Sequence, residues 1–575
     1  MLETPTPIVR TPPVGLPVWR RRRELQAWLG DSPVLIAGAI LLCAVVALPI
    51  LSVLGNIFRS SNGTIAHLAS TILPEILFDT FGLLFLVGAG TAVVGTTCAW
   101  FVTMYRFPGS RSLGWLLLLP MAMPAYIIGY AYTDFLNYTG PLQTGLRALF
   151  GWSRSDYWFP EIRSLPGVSL MLTLVLYPYV YFLARTAFQD QSSAALDVAR
   201  TLGHGGRDRF FRVALPLARP AIAAGLALAL MEALADFGTV QYFGINTFTT
   251  AIYRTWFGMG DRVAAGQLAS ALLLFVAALV IVEQWARRQS RFHRGGAKDH
   301  LVIPAELTGW RAWCAFLLCA LPVALGFVLP VLILLGLHLE GGDDVFGSRF
   351  LRLSSTTFGL ATVAALLVTA AGLFVAYAAR LAKSNGTRVL LRLATFGYAL
   401  PGTVIAVGVL VPLGAFDNAL DSTMQRTFGV STGLVFSGTI AALLFAYLVR
   451  FLAIASGALD AGLGRIPTNM DQAARTLGCT TGQVMRRVHF PLLGRSVFTA
   501  ALLVFVDVLK ELPATLIIRP FNFDTLAIRV YQLASDERLP QAATGALVIV
   551  AIGLVSVGLL TGLAGRFIQR PVISP

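Results

Sequence analysis

Charge is what this chain has least of. Only 13% of its 575 residues are Asp, Glu, Lys or Arg, where a soluble domain carries about 25%. A water-facing surface cannot be built from that supply, which excludes a soluble enzyme and a disordered protein. Other absences narrow the field. The dipeptide Gly-Lys does not occur, so there is no G-x-x-x-x-G-K-[ST] loop to cradle the phosphates of ATP. The five cysteines (Cys43, Cys98, Cys314, Cys319 and Cys479) include no C-x-x-C pair and lie mostly in apolar runs. They read as buried thiols rather than a disulfide framework or a zinc site. The six histidines form no H-E-x-x-H pattern, and no His, Cys or Ser constellation suits a membrane-embedded enzyme.

What is abundant is apolar side chain, at 56% of residues, with a mean hydropathy of +0.72. The chain reads as an all-α polytopic membrane protein. A spanning helix needs about 20 apolar residues, and about 12 stretches qualify. They lie near 32–58, 79–104, 113–136, 167–188, 213–240 and 263–285, then 311–338, 355–379, 390–415, 429–449, 490–515 and 541–565. The first follows Arg20-Arg21-Arg22-Arg23, and no A-x-A cleavage site follows it, so it reads as an uncleaved anchor. With the N-terminus inside, 31 of the 44 basic residues fall in inside segments, 12 outside, and Lys510 in a span. By the positive-inside rule both termini are expected in the cytoplasm. The net charge of +15 is then an orientation signal and gives no support for nucleic-acid binding.

The chain repeats itself. Thr80-Phe81-Gly82 returns as Thr357-Phe358-Gly359, and Pro124 returns as Pro401 at the same offset. Ala199-Arg200-Thr201-Leu202-Gly203 returns as Ala474-Arg475-Thr476-Leu477-Gly478, and Pro216 as Pro491, at a second common offset only slightly shorter. About six spans per copy, an even number, predicts two parallel repeats. The expected organisation is a cytoplasmic tail over 1–33, a first repeat over 34–290, a basic linker over 291–310 and a second repeat over 311–575.

Each copy has one long polar loop after its fourth span. The first runs from Asp197 through Ala199 and Gly203 to Pro216, the second from Gln472 through Ala474 and Gly478 to Pro491. Each predicts a short amphipathic helix stopped at a Gly, then a piece ended by a Pro as the next span begins. One such loop is compatible with a connector lying on lipid headgroups. Two with equal internal spacing point to a shared partner.

These loops resemble the E-A-A-x3-G-x9-I-x-L-P motif of the permease subunits of binding-protein-dependent ABC importers. The Ala, Gly and Pro positions match in both copies. Asp197 and Gln472 stand where the motif has Glu, Val213 and Val488 where it has Ile, and Phe490 where it has Leu. The resemblance implies a type I permease fold in a bacterial inner membrane. It implies that the loops dock in clefts of a homodimeric ATP-binding cassette ATPase, which holds ATP and magnesium, with no cofactor on this chain. It also implies a periplasmic substrate-binding protein, for which the outside loops near 137–166, 241–262 and 516–540 are the natural docking surface. The stretches Ala235-Asp236-Phe237-Gly238-Thr239 and Lys510-Glu511-Leu512-Pro513-Ala514-Thr515 make the chain most similar to fused, two-copy ferric-iron permeases. Thiamine and phosphonate permeases are also similar.

Four acids fall inside expected spans and match across the repeat at the offset of the loops: Glu232 with Asp507, and Asp236 with Glu511. A charge at mid-bilayer costs at least about 2.5–3.5 kcal/mol. Spacing of i, i+4 puts each pair on one helix face. Two readings stay open. The acids line the translocation path, where Asp236 and Glu511 could give a hard cation oxygen ligands together with Tyr126, Tyr130, Tyr177 and Tyr179. Alternatively they pair with Lys510 or cap helices broken near Gly238 and Pro513. Pro120, Pro124 and Pro401 are expected to kink spans. A proton-coupled secondary transporter is the competing class, favoured by the acids and disfavoured by the paired loops, which it does not need.

Overall fold

The computed structural model describes residues 33–61, 63–189, 199, 201–203, 205–292, 304–382, 384–393 and 400–568. Residues 1–32 of the expected tail, most of the linker, and Asp197 of the first loop lie outside them.

The protein is all-α, with long apolar helices arranged as two repeated bundles. Among the described residues, eleven helices are long and apolar enough to cross a membrane, and a bent pair makes a twelfth. The first repeat contains α1 (Pro33–Gly55), α2 (Leu73–Met104), the bent pair α3 (Ser110–Leu116) and α4 (Ala125–Leu136), α5 (Leu165–Gln189), α6 (Leu215–Ala235), the short α7 (Gly238–Tyr242), α8 (Phe248–Phe257) and α9 (Arg262–Phe292). The second contains α10 (Gly309–Val323) running on into α11 (Leu329–Gly341), then α12 (Ser348–Leu381), α13 (Asn385–Leu393), α14 (Gly402–Phe428) and α15 (Ile440–Leu463). It continues with α16 (Thr468–Thr476), α17 (Phe490–Leu509), the short α18 (Pro513–Ile518), α19 (Leu526–Ser535) and α20 (Leu539–Ile568).

Proline sets several of the boundaries. The span expected over 113–136 is broken: the chain bends by 91° between its two halves. Pro124 sits at the break in extended conformation, with φ −60° and ψ 136°. Its equivalent Pro401, at φ −56° and ψ 142°, starts α14, which then runs to Phe428 rather than ending near 415. Both prolines act as helix starters, where their missing N–H is no loss. Three other prolines, Pro216, Pro330 and Pro491, each follow a π-helical turn, at Arg209–Ala214, Ala324–Val328 and Met485–His489. A proline ring crowds the carbonyl four residues back and cannot bond to it. Widening the preceding turn accommodates that conflict without breaking the helix.

The span expected over 429–449 lies later, over Ile440–Leu463. The residues before it turn back on α14. The buried Asp417 carboxylate accepts the backbone N–H groups of Phe436 (3.0 Å) and Ser437 (2.7 Å), which fixes them as a loop.

Helices approach closely where side chains vanish. A Cβ at Gly95 would lie 2.9 Å from the Tyr177 carbonyl, and one at its repeat mate Gly372 would lie 2.8 Å from Ala455 Cβ. The same crossing therefore recurs in the two repeats, α2 on α5 and α12 on α15.

The first helix of each repeat packs on the other repeat. Ile36, Ala39 and Cys43 of α1 bury against Val375, Ala378 and Ala379 of α12. Ala312, Ala315 and Cys319 of α10 bury against Cys98, Ala99 and Trp100 of α2. Beside that second contact, Tyr105–Arg106 pairs in parallel with Ala305–Glu306, where the chain returns from the linker.

Candidate functional site

Two regions carry the chemistry: a charged cavity between the repeats, and the pair of polar loops. The cavity measures about 130 Å³ and is bordered by Tyr126, Glu232, Asp236, Arg450, Asp507, Lys510 and Glu511, so both repeats contribute. Tyr179 borders it as well, whereas Tyr177 is buried in a separate core cluster with Cys98 and Trp100.

Each repeat brings its acids there by the same device. Helix α6 stops at Ala235 and the chain restarts as α7 at Gly238. The Asp236 carboxylate caps that restart. It accepts the backbone N–H groups of Thr239 (3.0 Å) and Val240 (3.1 Å) and the Thr239 hydroxyl (2.8 Å). In the second repeat α17 stops at Leu509 and α18 starts at Pro513. The Glu511 carboxylate accepts the N–H groups of Ala514 and Thr515, both at 2.9 Å, and the Thr515 hydroxyl. A carboxylate near a helix N-terminus satisfies orphan N–H groups and meets the positive end of the peptide dipoles. This matches the capping alternative raised by the sequence. It also limits what these two acids can do for a cation. Their four oxygens already accept bonds, and among the described residues no group of three or more His, Cys, Asp and Glu is placed to hold a metal ion.

The cations of the cavity come from the second repeat. Lys510 Nζ lies 2.8 Å from Asp507 Oδ1, and Arg450 Nη1 donates to Glu511 Oε1 at 2.8 Å. Arg450 is the residue the sequence misplaces. The apolar run ends at 449, which puts Arg450 in an inside loop, but it lies within α15. The cavity therefore holds four carboxylates against two cations. Pairing lowers the cost of burying charge, and breaking one buried pair leaves the partner uncompensated.

The loops also share a backbone plan. Ala199 and Ala474 are both buried. Gly203 and Gly478 have φ of +80° and +84°, which a residue with a Cβ adopts only under strain. Pro216 and Pro491 lie in the first turn of α6 and α17. Gln472 is exposed on α16, and Leu477, just after that helix, is 84% exposed, matched by 72% for Leu202. The sequence reading does not single out these two leucines. Their signal is an apolar residue at the same place, just before the Gly, in two otherwise polar loops.

The second loop is tied to its bundle. Asp471, beside Gln472, accepts Arg380 Nε at 3.1 Å and Nη2 at 3.0 Å, and lies 2.7 Å from His489 Nε2. Arg380 also donates to the carbonyl oxygens of Leu463 and Ile466. One arginine thus links α12 to the end of α15 and to α16, and one aspartate links α16 to the turn that starts α17.

Comparison with known proteins adds the following. The family described as binding-protein-dependent transport system inner membrane component matches residues 91–291 and 369–571, once per repeat. The chain is 25% identical to the Fe(3+)-transport system permease protein FbpB 2 of Haemophilus influenzae, over 85% of this chain and 90% of that protein. It is 23% identical to the putative ferric transport system permease protein FbpB 1 of the same organism, over 82% of this chain and 74% of that protein. The molybdenum transport system permease protein ModB of Escherichia coli is 27% identical, over 35% of this chain and 87% of that protein.

Proposed function

The chain belongs to the family of binding-protein-dependent transport system inner membrane components, and on that premise we propose that it is the two-copy permease of an ATP-driven importer of ferric iron. The observation that carries the importer reading is the matched pair of loops. Each buries its Ala, turns at a left-handed Gly and exposes a Leu, so each offers one of two identical ATPase subunits the same surface. The chain has no phosphate loop of its own, and ATP and magnesium belong to the partner ATPase. The loops face the cytoplasm with both termini, and a periplasmic binding protein docks on the opposite face. The repeats extend over 34–290 and 311–575, joined by the linker 291–310 and preceded by the tail 1–33.

The cargo reading rests on two supports. Relatives named for ferric transport align with both repeats, whereas those named for sulfate and molybdenum align with 35–36% of the chain, about one repeat. The cavity has more carboxylates than cations, and its two cations are each within bonding distance of a carboxylate. A hard cation suits such an oxygen-rich path better than an oxyanion does. The path runs past Glu232, Asp236, Asp507 and Glu511; Asp236 and Glu511 could serve as passing ligands only by giving up part of their capping bonds.

The test is reconstitution with the ATPase and the binding protein in liposomes. ATP turnover should rise with iron-loaded binding protein and stay basal with thiamine- or phosphonate-loaded protein. Stimulation by the organic cargoes alone would replace iron with one of them. Flux that persists without the ATPase and collapses with the proton gradient would replace the class.

A further inference from the structure

Four buried polar atoms without a partner lie on one helix pair. On α4 the hydroxyls of Tyr126, Tyr130 and Thr133 are buried with no hydrogen-bond partner among the described residues, and so is Oε1 of Gln241 on α7, which packs against α4. Tyr126 and Tyr130 are only 5% and 3% exposed. The three α4 residues are spaced i, i+4, i+7, which places them on one face of the helix. The rings form a continuous column: Tyr126 and Tyr130 have centroids 5.8 Å apart, and Tyr130 and Tyr242 4.4 Å apart. At one end Tyr126 borders the charged cavity. At the other, half-buried Tyr242 accepts a bond from exposed Arg163 at 3.5 Å. This buried column of rings forms a seam from Arg163 at the surface to the edge of the cavity.

An unsatisfied buried hydroxyl costs about 1–3 kcal/mol and is rare in folded proteins. Four such atoms on one helix pair could be satisfied by a polar group bound at another stage of the cycle. By the repeat offsets the equivalent positions of the second repeat are Thr403, Val407, Leu410 and Leu516. Of these Thr403 alone has a hydroxyl, also buried without a partner among the described residues, and no seam continues from it.

We infer that the seam on α4 is a transient binding site for a hard, oxygen-seeking cation, with Tyr126 and Tyr130 as its phenolic donors, and that cargo enters the cavity along the first repeat only. The inference rests on the ferric reading above. Ferric iron prefers oxygen donors by the same hard-ligand logic that governs magnesium and calcium. A phenol oxygen that binds it loses its proton to water, and the Glu232 and Asp507 carboxylates at the cavity are next in line.

The experiment uses the reconstituted permease, ATPase and binding protein, with ferric iron as the probe. Tyr126→Phe and Tyr130→Phe should each lower ferric flux at least tenfold. Addition of ferric iron to the wild-type assembly should give a visible phenolate-to-iron charge-transfer band that both variants diminish. Thr403→Val, at the Tyr126 position of the second repeat, should change flux less than twofold. Because each Phe variant removes an unpartnered hydroxyl, neither should lower the melting temperature. Wild-type flux and an unchanged band in both Phe variants would overturn the seam as a site, and leave it as a place for water. An equal loss in Thr403→Val would overturn its one-sidedness. If the wild-type assembly moves no iron but is driven by another cargo, the ferric reading itself fails.

Discussion

The two repeats share their backbone devices and differ in the charges set upon them. Both break a helix at a carboxylate that caps the next one, at Asp236 and at Glu511. Both widen a turn just before a proline, and both turn a loop at a left-handed glycine. Yet the two cations of the cavity both come from the second repeat. Arg450 and Lys510 correspond by offset to Val175 and Ala235. The Arg380–Asp471–His489 network corresponds to Thr103, Leu196 and Ala214. What resists change is what the chain needs in order to turn and cap. What has diverged is how each half compensates charge. The second half reads as the electrostatically clamped frame, and the first, with its buried tyrosine seam, as the side proposed to meet cargo.

That division can be broken by measurement. The largest effect is expected at the caps. Glu511→Ala strips α18 of its cap and leaves Arg450 buried without its partner, which should cost about 3–5 kcal/mol. Asp236→Ala removes a cap alone and should cost about 1–2 kcal/mol. Thermal unfolding of the purified permease ranks them, and equal losses would erase the distinction between frame and path. Next come the loops. Asp471→Ala should lower cargo-stimulated ATP turnover at least tenfold, because α16 then loses its tie to α12 and α17. Leu196→Ala, its offset mate, should change turnover less than twofold. Turnover that falls equally in both would show that the clamp is not what transmits motion. Smaller effects are expected where the repeats agree. Leu202→Asp and Leu477→Asp should each weaken ATPase binding about tenfold, or about 1.4 kcal/mol, read by titration of the ATPase against immobilised permease. A large difference between them would mean that the loops dock unequally. For function the smallest effect is expected at the glycine pair: Gly203→Ala and Gly478→Ala should each cost stability, about 1–2 kcal/mol from the left-handed backbone, as similar shifts in melting temperature, and change ATPase binding less than the Leu variants do.

Much of this is legible in the sequence because it is one-dimensional. Long apolar runs, repeat offsets and the two loops need no partner to be recognised. The errors come where a distant group decides. The span expected at 429–449 fails because the Asp417 carboxylate captures the Phe436 and Ser437 amides from 19 and 20 residues away. Arg450 reads as a loop cation for the same reason, since its true place depends on Glu511, 61 residues later. The acids stand out, and capping is among the readings they allow, because Gly238 and Pro513 mark the breaks locally. The exposed leucines escape notice because a single apolar residue in a polar loop carries no periodic signal. The exchange of first helices could not have been read at all, since an apolar helix face does not name its partner.

That exchange has a consequence in time. Helix α1 rests on Val375 and its neighbours, which belong to the second repeat and are made long after it. At a synthesis rate of about 5–20 residues per second, α1 waits roughly 15–65 s in the bilayer before its partner is made. The first half is therefore born incomplete: α1 can pack on α9 of its own repeat, where Ser270 donates to the Val53 carbonyl, but the face that meets α12 has no protein partner until the second half emerges. Chain order alone thus sets the two contacts apart: the α2 face that receives α10 exists before α10 is made, whereas α1 precedes its α12 seat, and each half is completed by the other.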